Sequence, residues 1–135
     1  MLTKDYLKDL VYRVNGAAIE VHKALGPGLL ESVYHNCMKR ELLLRGIHFQ
    51  SEKSIPVNYK GVDVQIDLRC DFLVENELIV ELKSVEFIAP VFEAQLLTYM
   101  KLLQKPMGLM INFNVTHLFN EGQKTYVNER YRDLI

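Results

Sequence analysis

No tryptophan occurs among the 135 residues and only two cysteines do. Cys37 and Cys70 fall in stretches expected to be helix and strand interiors, so they are read as buried thiols of a reducing cytoplasm, not as a disulfide. Charge of one sign is missing too. Sixteen Lys+Arg against seventeen Asp+Glu leave a formal net charge of −1, which excludes the global basic field that coats nucleic acid passively; any anion binding has to be local, at a patch or a metal. Apolar runs such as Leu42-Leu43-Leu44 and Gly108 to Ile111 stay far below the roughly 18 to 20 residues of a membrane span. The N-terminus, Met1 to Asp5, is polar and lacks the apolar core of a signal peptide, so a cytoplasmic location without membrane contact is expected.

Several catalytic signatures are also absent. There is no Ser-His-Asp arrangement and no Gly-x-Ser-x-Gly elbow, and His22, His35, His48 and His117 sit in no zinc spacing and read as solvent or boundary residues. Gly26-Pro27-Gly28 joins helix to helix, without the strand-turn-helix context of a phosphate loop. Repeats, low-complexity segments and Ser/Gly linkers are lacking, so residues 1–135 are read as a single domain. At 49% hydrophobic residues the chain can bury a real core.

What is present is periodicity. Leu7, Leu10, Val11, Val14, Ala18, Val21 and Leu25 recur at spacings of three and four, predicting an amphipathic helix capped by Thr3 and ended by Gly26. A second helix is expected over Glu31 to Arg45, stopped by Gly46. Ile55, Val57 and Tyr59, then Val62, Val64, Ile66 and Leu68, alternate with polar residues around Lys60-Gly61, as in a β-hairpin. Cys70 to Val74 and Leu78 to Val85 form a second strand pair about Glu75-Asn76-Glu77. Helical spacing returns over Val91 to Gln104 with Pro106 as terminator, and Met107 to Phe113 reads as a buried central strand. The order α-α-β-β-β-β-α-β, with a weak further strand at Thr125 to Val127, predicts an α/β (α+β) fold: a mixed central β-sheet flanked by helices.

Charges break this pattern in one place. The Leu78 to Val85 run is apolar on both faces except for Glu81 and Lys83, and isolated buried charges cost several kcal/mol unless paired or metal-bound. Asp71 likewise sits between Cys70 and Phe72. A three-residue connection with Asn76 left-handed would pair Val74 with Leu78 and set Asp71 opposite Glu81. Opposed carboxylates repel, and a divalent cation with water completing its shell, as Mg²⁺ prefers, would remove that penalty. The competing structural readings are an ion pair between Glu81 and Lys83 and a partnership of Arg69 with Asp71. Gln95 and Tyr99 stand one turn apart on a helix, and Glu31 opens another, where it also complements the helix dipole.

Gly28-Leu29-Leu30-Glu31-Ser32-Val33-Tyr34 resembles the G-x-x-E-x-x-Y signature of a small bacterial and archaeal family. Asp71, Glu81-Leu82-Lys83 and Gln95-x-x-x-Tyr99 resemble the PD-(D/E)xK nuclease superfamily to which that family is assigned, with Cys70 where the motif name has proline. The likeness runs from about Ala18 through Asn112-Phe113. The resemblance implies a restriction-endonuclease-like core with Asp71 and Glu81 as metal ligands, Lys83 activating the attacking water, Glu31 as an acidic residue near the metal, and Gln95 and Tyr99 bordering substrate.

The expected function is therefore Mg²⁺-dependent phosphodiester hydrolysis of DNA or RNA, with Mn²⁺ as a possible substitute. The alternative is a non-catalytic binding or assembly module of the same fold that uses its surface for a protein partner or a second copy of itself.

Overall fold

A computed structural model describes residues 1–135. Helix α1 (Lys4–Leu25) starts where the Thr3 hydroxyl accepts the Tyr6 N–H at 3.1 Å and stops at Gly26, whose φ of 72° only glycine adopts freely. Its buried stripe of Leu7, Leu10, Val14, Ala18 and Val21 follows the expected spacing. Helix α2 (Glu31–Leu44) presents Tyr34, Met38 and Leu42 to the same core.

Seven strands follow: β1 (Phe49–Ser54), β2 (Val57–Tyr59), β3 (Val62–Val64), β4 (Arg69–Val74), β5 (Leu78–Lys83), β6 (Met107–Asn112) and β7 (Gln123–Val127). Helix α3 (Pro90–Leu103) lies between β5 and β6, and two single-turn helices, α4 (Leu118–Glu121) and α5 (Glu129–Arg132), flank β7. Five strands make one mixed sheet in the order β1-β4-β5-β6-β7, with β5 and β6 parallel and the other pairs antiparallel. The expected architecture of a mixed sheet between helices is the one observed.

The element order needs one correction. Five strands, not four, precede α3, because Phe49–Ser54 forms an edge strand whose sequence Phe-Gln-Ser-Glu-Lys-Ser carries a single apolar residue. Being half-buried at alternate positions on the sheet edge, it needs no more. The hairpin expected around Lys60-Gly61 forms, but as a separate two-stranded sheet, β2 with β3, that leaves Tyr59 and Val62 largely exposed.

Alternation along β5 feeds two cores. Leu78, Val80 and Leu82 join α1 and α2 with Phe72, Leu109 and Ile111, while Ile79 faces α3 through Leu96, Tyr99 and Met100. Each fully buried large aliphatic side chain contributes about 1.5–3 kcal/mol. Contact between α3 and β6 is close enough that a Cβ on Gly108 would lie 2.9 Å from both Leu96 Cδ1 and Met100 Sδ. Both cysteines are free thiols; Cys70 is buried as expected, whereas Cys37 is only half-buried. No helix is long and apolar enough to cross a membrane.

Candidate active site

The β4–β5 connection is the three-residue turn expected, with Glu75 at φ 50°, Asn76 at φ 59° and Val74 paired with Leu78. Its register runs through Leu73↔Ile79 to Phe72↔Val80, so the next pair outward is Asp71 with Glu81. There side chains replace the ladder. The Asp71 N–H donates to Glu81 Oε1 at 2.9 Å and the Leu82 N–H donates to Asp71 Oδ2 at 2.7 Å.

The regular alternation of faces also breaks at this point. Cys70 packs on the α3 side and Phe72, two residues on, packs on the α1–α2 side, whereas a regular strand would put them on one face. On the neighbouring strand, Glu52 lies between the paired residues Ser51 and Lys53 with a φ of 51°. Asp71, at this break, faces α2, where its Oδ1 lies 3.4 Å from His35 Nδ1.

Charge shows what this arrangement costs. Glu81 is 7% exposed, and burial, then the neighbouring Asp71 carboxylate, pushes its pKa up to about 8 against the weaker pull of the Asp71 N–H and Lys83. Lys83 does not relieve it by ion pairing: its Nζ makes no salt bridge and rests 4.2 Å from the centroid of the Phe92 ring on α3. Arg69 pairs with Asp67 at 2.7 Å and more loosely with Glu52 at 3.9 Å, not with Asp71. Both structural ion-pair readings thus lack their contact.

Glu31 reaches the site through a clamped turn. The Tyr34 hydroxyl donates to the Gly26 carbonyl at 2.6 Å and accepts the Leu29 N–H at 3.2 Å, while its ring stacks on Phe113 with centroids 4.3 Å apart. From the other side the Ser84 hydroxyl donates to the Leu29 carbonyl at 2.6 Å. Tyr34 thus fastens the turn that launches Glu31. Glu31 lines an open cleft of about 410 Å³ together with Ser32, His35, Asn36, Glu52 and Asp71. The surrounding protein raises its pKa, Lys83 opposes that rise and Asp71 adds to it.

Tyr99, on α3, is buried, and its pKa is raised first by burial and then by the charges of Glu81, Cys70 and Asp71. Gln95, one turn earlier, is exposed. A second cleft, of about 370 Å³, is lined by Glu93, Lys124 and Tyr126 among others. There the polar groups satisfy one another, since the Glu93 carboxylate accepts from both Lys124 and the Tyr126 hydroxyl.

The model of the PD-(D/E)XK nuclease superfamily matches residues 8–125. The chain belongs to that superfamily. Comparison with curated proteins and with solved structures yields no significant match.

In this PD-(D/E)XK nuclease domain no three His, Cys, Asp or Glu side chains converge as a ready-made metal cage. The donor set nevertheless suits a hard divalent cation. Asp71 and Glu81 each commit one oxygen to a backbone N–H and keep the other free of backbone donors, and Mg²⁺ is commonly held by one or two carboxylates with water filling the rest of its shell.

Sequence reasoning missed three residues that contact the candidate site. His35, grouped with the boundary histidines, carried one usable signal: it lies four residues after Glu31 and so shares its helix face. Asn112 is buried, and its side chain bonds both the N–H and the carbonyl of Val85, pinning the segment that leaves Lys83. The cation–π contact of Phe92 with Lys83 joins residues on different elements, and no local pattern announces it.

Proposed function

We propose that the chain is a Mg²⁺-dependent nuclease hydrolysing phosphodiester bonds in DNA or RNA, from the G-x-x-E-x-x-Y branch of the superfamily, acting as a single domain in the cytoplasm. One observation carries the reading: two carboxylates crowd the gap between β4 and β5 beside a lysine that has no anionic partner. A structural ion pair would have joined that lysine to one of the two carboxylates, and its ammonium pairs with neither.

In this reading Asp71 and Glu81 hold the ion, with Glu31 approaching from the α2 side. Mg²⁺, or Mn²⁺ in its place, supplies Lewis-acid polarisation of the phosphate and a lowered pKa for bound water. Lys83 orients that water and offsets the negative charge that develops on the phosphoryl oxygens. Its ammonium is available for this because Phe92 holds it over a ring face instead of a carboxylate. Tyr99 and Gln95 border the site from α3, with the exposed Gln95 amide free to meet substrate.

The rival reading, a non-catalytic module binding a protein partner or a second copy, draws support from the formal net charge of −1, which offers little electrostatic attraction to a polyanion. Incubating the protein with labelled single-stranded DNA, duplex DNA and RNA in Mg²⁺, Mn²⁺ or EDTA separates the two. Cleavage that needs the metal and disappears in Glu81→Gln supports the nuclease; metal binding with no cleavage of any substrate selects the module.

A further inference from the structure

His35 stands outside the Asp-Glu-Lys set, yet it is held more tightly than a boundary residue needs to be. Its ring stacks on Phe72, with centroids 4.4 Å apart and planes 14° from parallel, and Nε2 lies 2.7 Å from the Ser51 hydroxyl. Helix α2 supplies the histidine, β1 the serine and β4 the phenylalanine. Three elements therefore fix the ring's position and its rotation. The one nitrogen left over, Nδ1, faces Asp71 Oδ1 at 3.4 Å.

The proton on that nitrogen can be assigned from the surroundings. A bare Nδ1 lone pair against a carboxylate oxygen would be repulsive, so the hydrogen belongs on Nδ1. With the hydrogen on Nδ1, the Ser51 hydroxyl can donate to Nε2 and hold the ring in that orientation.

Asp71 gains a second restraint from this contact. Its Oδ2 is already fixed by the Leu82 N–H, and the Nδ1–H dipole facing Oδ1 from 3.4 Å, an electrostatic contact longer than a hydrogen bond, biases the remaining rotation of the carboxylate while leaving the lone pairs of that oxygen free. Ligating carboxylates are ordinarily braced in this way, and loss of the brace typically lowers metal affinity about 10–100-fold.

We infer that His35, oriented by Ser51 and Phe72, is a positioning residue that presents the Asp71 carboxylate to a divalent cation. This inference rests on the metal-site reading above. It assigns Ser51 and His35 a shared role: a hydroxyl-imidazole-carboxylate relay of orientation, running from the edge strand to the centre of the site.

Two substitutions separate orientation from packing. His35→Phe keeps a ring for Phe72 but removes the donor; His35→Asn places an amide nitrogen near the Nδ1 position but gives up the stack. Mn²⁺ affinity is measured by titration calorimetry and unfolding is followed in EDTA. His35→Phe is expected to unfold near wild type in EDTA yet bind Mn²⁺ about tenfold or more weakly, and Ser51→Ala is expected to weaken binding in the same direction by less. His35→Asn is expected to be less stable in EDTA while keeping affinity within about threefold of wild type, the mark of rescue by the retained donor.

Wild-type affinity in His35→Phe would make His35 a packing residue and overturn the inference. Comparable loss in both His35→Phe and His35→Asn would overturn it differently, by making the imidazole nitrogen itself a ligand. A wild-type protein that binds no Mn²⁺ would remove the metal site and this inference with it, so the two failures are distinguishable.

Discussion

The hydroxyl of Ser84 donates to the carbonyl of Leu29 at 2.6 Å, tying the residue after Lys83 to the turn that launches Glu31. The two charges come from segments more than fifty positions apart, and this bond, with the Tyr34 bonds to Gly26 and Leu29, sets where the α2 N-terminus stands against the end of β5. Site assembly is therefore a property of turns as much as of strands.

Glu81→Gln keeps an acceptor for the Asp71 N–H and removes the charge. In EDTA above pH 8 this variant is expected to be at least as stable as wild type, because repulsion from Asp71 and the cost of a buried carboxylate are both relieved. It is also expected to lose any rise in melting temperature that Mg²⁺ or Mn²⁺ gives wild type. Thermal unfolding with and without metal checks both; clear destabilisation in EDTA, together with no metal response in wild type, would make the charge structural.

The same carboxyl sets a pH dependence. Its pKa stands at about 8 in the fold against 4.5 for the free group, so between those values the folded state holds a proton that the unfolded chain has released. Stability from this group is present at pH 4.5 and is lost as pH rises toward 8. Unfolding free energy in EDTA, read from melting curves, should decline across that window more steeply in wild type than in Glu81→Gln, by on the order of a few kcal/mol. Added Mg²⁺ should stabilise more at pH 8 than at pH 5, where protons compete with it.

Lys83→Met should separate binding from chemistry. Lys83 makes no salt bridge, only the 4.2 Å contact with Phe92, so its loss should change stability by less than about 1 kcal/mol. Metal affinity should hold or rise, since a positive neighbour of the carboxylates is gone. Cleavage should fall on the order of 10²- to 10³-fold. Parallel calorimetry and nuclease assays read the split, and an equal loss of affinity and activity would assign Lys83 to holding the site together instead.

Tyr34→Phe leaves the stack on Phe113 and removes both hydroxyl bonds to the Gly26–Leu29 turn. A loss of about 1–3 kcal/mol is expected, with a smaller effect on Mn²⁺ affinity than His35→Phe gives. Gly28→Ala, at φ 94°, loads the same turn with backbone strain and should cost about 1 kcal/mol or more. Denaturant unfolding measures both costs.

The sequence alone determined the elements whose pattern is local. Stripes at three and four mark α1, α2 and α3, and the doubly apolar Leu78–Lys83 marks a strand covered on both faces, because burial on one or two faces writes itself into neighbouring positions. The Glu75-Asn76-Glu77 turn likewise set the register that brings Asp71 level with Glu81, since the length of a hairpin connection fixes strand pairing. Tertiary structure decided the rest. Edge strand β1 is polar, Asp71 faces α2 at a break in the regular alternation of β4, and the contacts of His35 with Ser51, Lys83 with Phe92, and Asn112 with Val85 each join residues apart in the chain. Such contacts are chosen by how finished helices pack on a finished sheet, where distance in space is uncoupled from distance along the chain, and residue spacing carries no record of them.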